Sequence, residues 1–123
     1  MTHINGRNVY LSVPMTGIED FNRAAFNNAE EILKSRGAAY VYNPADNATR
    51  YVDAGLTHEQ CMYYSLYELL DEGWPVESGA PGTHWYEVLV SLPGWEQSAG
   101  ARLERTVAEA CGIEVCNIED VTA

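Results

Sequence analysis

The fold is decided by a strand, a turn and a helix that follow one another in residues 86–112, YEVLVSLPGWEQSAGARLERTVAEACG. The segment 86–92 is apolar and partly β-branched, which predicts a buried strand. Ser98 can cap a helix over 98–111, because serine is a preferred residue at this position. A last short strand is expected over 113–115, after the helix ends at a glycine.

The first half of the chain shows the same alternation of strand and helix patterns. Its predicted elements are a strand over 9–13, a helix over 21–36, a strand over 39–42 and a helix from 57 to 71 that opens with a Thr57–Gln60 capping box. Alternating strands and helices predict an α/β fold, a three-layer Rossmann-like (flavodoxin-like) parallel sheet of about four to five strands flanked by helices. The length of 123 residues fits a single domain over 1–123, in which the Gly-, Pro-, Ser- and Trp-rich segment 73–85 is an expected insertion or lid.

The composition limits the classes of partner. Seven Lys and Arg residues oppose 18 Asp and Glu residues, and the resulting net charge of −11 argues against a nucleic-acid polymer as ligand. No apolar run reaches the roughly 20 residues of a membrane span, and the first residues lack the basic and apolar regions of a signal peptide, so we expect a cytoplasmic protein without a membrane partner.

The His residues show no metal-type spacing, and we expect neither a metal nor a cofactor. The three cysteines, Cys61, Cys111 and Cys116, are expected to be buried thiols.

One carboxylate is predicted to point inward. At about 100° per residue, Glu104 falls within the apolar arc of the helix over 98–111, whereas Arg105 falls on the charged side. A partly buried carboxylate near a helix start, at the carboxyl edge of a parallel sheet, is suited to act as a nucleophile or a general acid or base. The alternative is a glutamate that only complements the positive end of the helix dipole. The other residues of the predicted arc are Gly100, Ala101, Leu103, Val107, Ala108 and Cys111.

Other candidate ligand-binding residues lie at the predicted carboxyl edge of the sheet. Ser98 and Gly100 begin the helix that carries Glu104, where exposed backbone N–H groups can bind an anion. Arg23, near the start of the first predicted helix, is the nearest cation for a phosphate. Ser65 is predicted on the inward face of its helix, where it can also simply pack or bond to the backbone. The remaining candidates are Pro14, Met15 and Thr16 after the first strand, Asn43 after the second, and Trp95, one of several aromatic residues that could stack on a base or bury a subunit interface.

Four motifs carry a resemblance to a known family. They are YLSVPMTG at 10–17, FNRAAF at 21–26, NP at 43–44 and LPGWEQSAGARLE at 92–104. Together they resemble a small phage- and prophage-associated family related to the nucleoside 2-deoxyribosyltransferases. The resemblance spans nearly the whole chain except 73–85, and its last motif is the most specific.

The resemblance implies a role for the inward carboxylate. In these enzymes a Glu in the place of Glu104 attacks the anomeric carbon of a nucleoside or nucleotide, and water or a second base resolves the glycosyl-enzyme intermediate. The loop that starts at Ser12 and continues to Thr16 is implied to enclose the sugar and base. Ser98 stands where nucleotide N-glycosidases of the superfamily carry a Ser that contacts the 5′-phosphate, which favours a nucleoside monophosphate. Such relatives assemble as oligomers, so a homodimer or higher homo-oligomer is expected.

The leading hypothesis is cleavage or transfer at the N-glycosidic bond of a nucleoside 5′-monophosphate, by a deoxyribosyltransferase-like hydrolase with Glu104 as its nucleophile. A second hypothesis is a non-catalytic protein that binds or sequesters a nucleotide. Val13 and Ser65 favour it, because they stand where the resemblance implies Gly and Asp, and a serine cannot act as a general acid at neutral pH. A third hypothesis is an interaction module that uses the Tyr and Trp surface.

Overall fold

The structure is a computed structural model that describes residues 2–12, 23–44, 55, 57–70 and 85–122. Its strands are β1 (Thr2–His3), β2 (Asn8–Ser12), β3 (Tyr40–Tyr42), β4 (Val88–Ser91), β5 (Glu114–Asn117) and β6 (Val121–Thr122), and its helices are α1 (Arg23–Ser35), α2 (His58–Leu69) and α3 (Ala99–Ala110). Short 3₁₀ turns over Trp95–Gln97 and Ile118–Asp120 precede α3 and β6. The predicted wall residues Pro14, Met15 and Thr16, and the 73–84 part of the predicted insertion, lie outside the described residues.

Four parallel strands form the main sheet, in the order β3-β2-β4-β5. In chain order these described strands stand second, first, third and fourth, which is the order of the first four strands of a flavodoxin-like sheet. The prediction of a Rossmann-like parallel α/β fold is therefore confirmed. The chain reverses its winding direction between β2 and β4, and such sheets form their ligand-binding crevice at this point.

Successive side chains of β2 alternate between two cores. Val9 and Leu11 pack on the face covered by α1, whereas Tyr10 packs on the opposite face with Ala108 of α3. Because residues two apart on a strand share a face, Ser12 follows Tyr10 to the side of α2 and α3. The strand therefore ends with two polar groups, both buried, beneath the helix that carries the predicted site.

A second, two-stranded sheet was not predicted. β1 and β6 pair in parallel, with Thr2 opposite Val121 and His3 opposite Thr122. Strands of two residues are too short to show an alternating hydrophobic pattern, so nothing in the local sequence indicates them.

The buried stripe of α3 is narrower than the predicted apolar arc. It consists of Ala101, Glu104 and Ala108, and the prediction that Leu103 points inward is wrong because 44% of Leu103 is exposed. The small alanines lie on one side of Glu104 and Leu103 lies on the other, so the helix packs on the sheet through its small residues.

The prediction of buried thiols holds for Cys116 alone. Cys111 is exposed just after the helix ends, Cys61 is half-buried, and all three are free thiols.

Within the described part of the chain, no helix combines the length and apolar character needed to cross a membrane. The same residues contain no group of three or more His, Cys, Asp or Glu side chains that could hold a metal ion.

Candidate active site

The candidate site is built around the carboxylate of Glu104, which is 8% exposed and faces the end of β2. The Ser12 hydroxyl donates a hydrogen bond to Oε1 of Glu104 over 2.8 Å, and the Tyr10 hydroxyl donates to Oε2. Both donors reach the carboxylate because they stand two residues apart on one strand and so point to the same face. The structure thus joins Glu104 and Ser12, two of the predicted site residues, and adds Tyr10 to them.

Burial sets the protonation of this carboxyl group. Removal from water raises the pKa of Glu104 from its ordinary 4.5 to about 7, because the charged form loses its hydration. The hydrogen bonds from Tyr10 and Ser12 act in the opposite direction, since they stabilise the carboxylate. Near neutral pH the group is therefore present in both forms, so it can exchange a proton or attack as a nucleophile.

The Tyr10 hydroxyl connects β2 with both neighbouring helices. Its oxygen lies within hydrogen-bonding reach of Glu104 on α3 and, at 3.3 Å, of the backbone carbonyl of Ser65 on α2, so its one proton can be donated to either. Burial, followed by the charge of Glu104, holds the pKa of Tyr10 well above its ordinary 10.0, so the phenol keeps its proton. That proton can go to Glu104 when the carboxylate is ionised, and to Ser65 when Glu104 carries a proton of its own. Tyr10 therefore fits both protonation states of the site.

The N-terminus of α3 lies between one and two turns before Glu104. Ser98 is its N-cap residue, and the Ser98 hydroxyl accepts a hydrogen bond from the backbone N–H of Ala101 over 3.2 Å. The first-turn N–H groups have no carbonyl partners within the helix, which is the property that lets helix starts bind anions. A Cβ added at Gly100 would lie 2.8 Å from Sδ of Met62, so the absent side chain also lets α2 approach α3 closely.

Comparison with known proteins assigns the family. Residues 7–117 match a family described as a domain of unknown function, DUF4406. The chain belongs to this family. No curated protein and no solved structure gives a significant match. The matched residues include Tyr10, Ser12 and Glu104.

A second polar cluster of the DUF4406 domain lies on the other side of α3. Helical projection places Arg105 on the charged side of the helix, opposite the apolar arc, yet its side chain is only 19% exposed. It donates to Oγ of Ser91 over 3.1 Å and to Oδ1 of Asn117 over 3.0 Å. Its guanidinium carbon lies 4.2 Å from the ring centre of Trp95, a cation–π distance. The long side chain reaches back to the sheet from a position that helical projection assigns to the outside.

Within the part of the chain that the structure describes, the hydrogen-bond partners of the Glu104 carboxylate are Tyr10 and Ser12, and the other predicted site residues described there are not among them. Asn43 is 3% exposed, and its amide nitrogen donates to Asn27 and Glu30 of α1, on the opposite face of the sheet. Arg23 is the first residue of α1 and is half-buried. Ser65 reaches the site through its backbone carbonyl, and Trp95 belongs to the Arg105 cluster.

Tyr10 is the residue of the site that was not predicted. The sequence pattern that indicates Tyr10 was available, because Tyr10 stands two positions before Ser12 in the same strand and so shares its face.

A surface cavity of about 160 Å³ opens beside the Arg105 cluster, with Ser91, Trp95 and Asn117 in its wall. The groups around Glu104 do not line that cavity.

Proposed function

We propose that this DUF4406 protein cleaves, or transfers at, the N-glycosidic bond of a nucleoside 5′-monophosphate, with Glu104 as the nucleophile. The observation that carries the proposal is the buried Glu104 carboxylate, which two hydroxyl donors of β2 hold at the crevice edge of the sheet. The resemblance of the motif at 92–104 to the relatives of the nucleoside 2-deoxyribosyltransferases supports the same role.

The reaction uses the charge and the lone pairs of this carboxylate. In its ionised form one oxygen attacks the anomeric carbon while the bond from that carbon to the base nitrogen breaks, and the base leaves with the bonding electron pair. The negative charge also stabilises the positive charge that develops on the sugar. Water, or a second base in a transfer reaction, then attacks the same carbon, which breaks the bond to Glu104 and releases it as a carboxylate. The proton that the attacking group loses balances the proton that the departed base anion takes up from solvent. Each carboxylate oxygen has more than one lone pair, so the bonds from Tyr10 and Ser12 leave acceptor capacity for the attack.

The start of α3 is suited to hold the phosphate of such a substrate. A chain with a net charge of −11 repels anions in general, so a phosphate needs a local site of opposite polarity. The helix dipole and the first-turn N–H groups that follow the Ser98 cap, including that of Gly100, supply one, on the same helix as Glu104. A phosphate bound there fixes the sugar relative to the carboxylate, because both contacts come from one rigid element.

The test is release of free base from a panel of ribo- and deoxyribonucleoside 5′-monophosphates, measured by chromatography. We expect Glu104→Gln to lose base release while it stays folded by circular dichroism. The matched control is Glu31→Gln, which neutralises an exposed carboxylate on α1 and should leave the rate unchanged. Release by Glu104→Gln at the wild-type rate, or no release by the wild-type protein from any member of the panel, contradicts the proposal.

A second candidate function is nucleotide binding without chemistry. It is favoured by the surroundings of Glu104, since among the described residues no second carboxyl group contacts it, and Ser65, which contacts Tyr10 through its carbonyl and its hydroxyl, cannot act as a general acid at neutral pH. A leaving base then lacks a neighbouring general acid. Calorimetric titration with the same monophosphates, followed by chromatography of the recovered ligand, distinguishes the two functions. Binding with full recovery of intact nucleotide selects the second.

A further inference from the structure

Glu104 and Arg105, two consecutive residues of α3, form hydrogen bonds with side chains of three adjacent strands at the same level of the sheet. In the strand register Ser12 of β2 lies opposite Ser91 of β4, and Ser91 lies opposite Asn117 of β5. Glu104 accepts from the first of these three side chains, and Arg105 donates to the other two. The polar groups that end β2, β4 and β5 are therefore all bonded to neighbouring positions of one helix.

The contacts of Arg105 hold its guanidinium group in one position against the sheet. Ser91 is fully buried and the Arg105 side chain is mostly so, which shields their hydrogen bond from water. The planar guanidinium bonds Asn117 through the same nitrogen and lies over the Trp95 ring. An arginine bound through hydrogen bonds and ring stacking is restricted in both distance and orientation.

We propose that Arg105 is a positioning residue that fixes the rotation of α3 about its axis and thereby directs Glu104 at Tyr10 and Ser12. Consecutive helical residues point about 100° apart, so Glu104 and Arg105 reach the sheet on opposite sides of the helix axis. Rotation in either direction stretches one set of contacts. Without Arg105 the hydrogen bonds of Glu104 restrain the helix from one side and lose their polar counterpart on the other.

The effect runs through geometry rather than through charge. Burial raises the pKa of Glu104, the hydrogen bonds from Tyr10 and Ser12 lower it, and Arg105 is not among these causes. The contact with Trp95 extends the same restraint to the turn that leads into the Ser98 cap. Arg105 thus restrains both ends of the candidate site. Only the naming of Glu104 as the reacting group rests on the proposed function.

The test is a titration of the Glu104 carboxyl carbon by ¹³C NMR in protein with labelled glutamate, the signal being assigned by its absence in Glu104→Gln. In Arg105→Met, α3 is free to rotate and water reaches the carboxylate, so we expect its pKa to fall from about 7 toward 4.5. The pKa of Glu104 should fall in Arg105→Lys as well, because one ammonium group cannot reproduce the planar fork and the ring contact of the guanidinium. The matched control is Arg102→Met, which removes an exposed arginine of the same helix and should leave the titration unchanged.

Asn117→Ala provides a second route if loss of Arg105 prevents folding, because it removes one anchor and keeps the arginine. It too should lower the pKa of Glu104. The proposal is overturned if the pKa of Glu104 in folded Arg105→Met or in folded Arg105→Lys equals the wild-type value. The measurement uses no substrate, so a failure to release base would contradict the proposed function without touching this result.

Discussion

The hydroxyl of Ser12, the last residue of β2, donates to Oε1 of Glu104 over 2.8 Å and so ties α3 to the middle of the sheet. β2 is one of the two strands between which the chain reverses its winding direction. Loops and helix starts diverge at that position in a doubly wound sheet, which leaves a crevice above the strand ends. The buried carboxylate therefore lies where the topology provides space for a ligand.

The stability of the protein should fall as the pH rises through the pKa of Glu104. Below 4.5 the group is neutral in both the folded and the unfolded chain, whereas above about 7 the folded chain carries a buried charge. Folding raises this pKa, so the folded state binds the extra proton and loses that advantage with increasing pH. Glu104→Gln does not titrate. We expect its free energy of unfolding, relative to wild type, to increase by about 3 kcal/mol between pH 4.5 and pH 8.

Urea denaturation of both proteins at the two pH values measures that difference, and other titrating groups cancel in the comparison. A difference between Glu104→Gln and wild type that does not change with pH would contradict the buried charge.

Tyr10→Phe should raise the pKa of Glu104 further. The phenol donates to the carboxylate and lowers its pKa, while burial is unchanged by the loss of one oxygen. Under the proposed function, the midpoint of the rise of kcat/KM with pH moves above 7, and the rate at lower pH falls roughly tenfold for each unit of displacement. The control is Tyr63→Phe, which changes a tyrosine that is 66% exposed. A midpoint that stays in place or moves down would contradict this role of Tyr10.

The fold and the inward carboxylate could be predicted because both follow from local periodicity. The alternation of strands and helices gave the parallel sheet, and one helical projection placed Glu104 on the buried side. The caps at Thr57 and Ser98 were predictable for the same reason, since a capping bond joins residues three apart in the sequence.

The partners of Glu104 could not be predicted in the same way. Whether Tyr10 and Ser12 or Val9 and Leu11 face α3 depends on which helix covers which face of the sheet, and that choice is tertiary. Arg105 was assigned to the outside because projection follows the Cα position and ignores the reach of a long side chain. Asn43 stands at the correct sheet edge, but it points to α1 because residues on a strand alternate between faces.

Two adjacent leucines at the end of α2 should differ strongly in their contribution to stability. Leu69 is fully buried in the core that contains Tyr10, whereas 42% of Leu70 is exposed. Leu69→Ala should lower the free energy of unfolding by about 2–5 kcal/mol, because it leaves a cavity next to the site. Leu70→Ala should change it by less than about 0.5 kcal/mol. Chemical denaturation of the two variants measures this, and equal losses would show that α2 packs on the sheet differently.

Ser98→Ala should separate the capping role of this serine from its proposed role at the phosphate. Loss of the bond to the Ala101 N–H should lower stability by about 1 kcal/mol. Thr57→Ala removes the equivalent cap of α2 and is the matched control, since it lowers stability to a similar degree at a helix start without Glu104. Under the proposed function, only Ser98→Ala should raise the KM for a nucleoside monophosphate, and it should leave kcat/KM for the parent nucleoside unchanged. If both variants raise the KM for the monophosphate equally, the effect is one of stability, and the phosphate lies elsewhere.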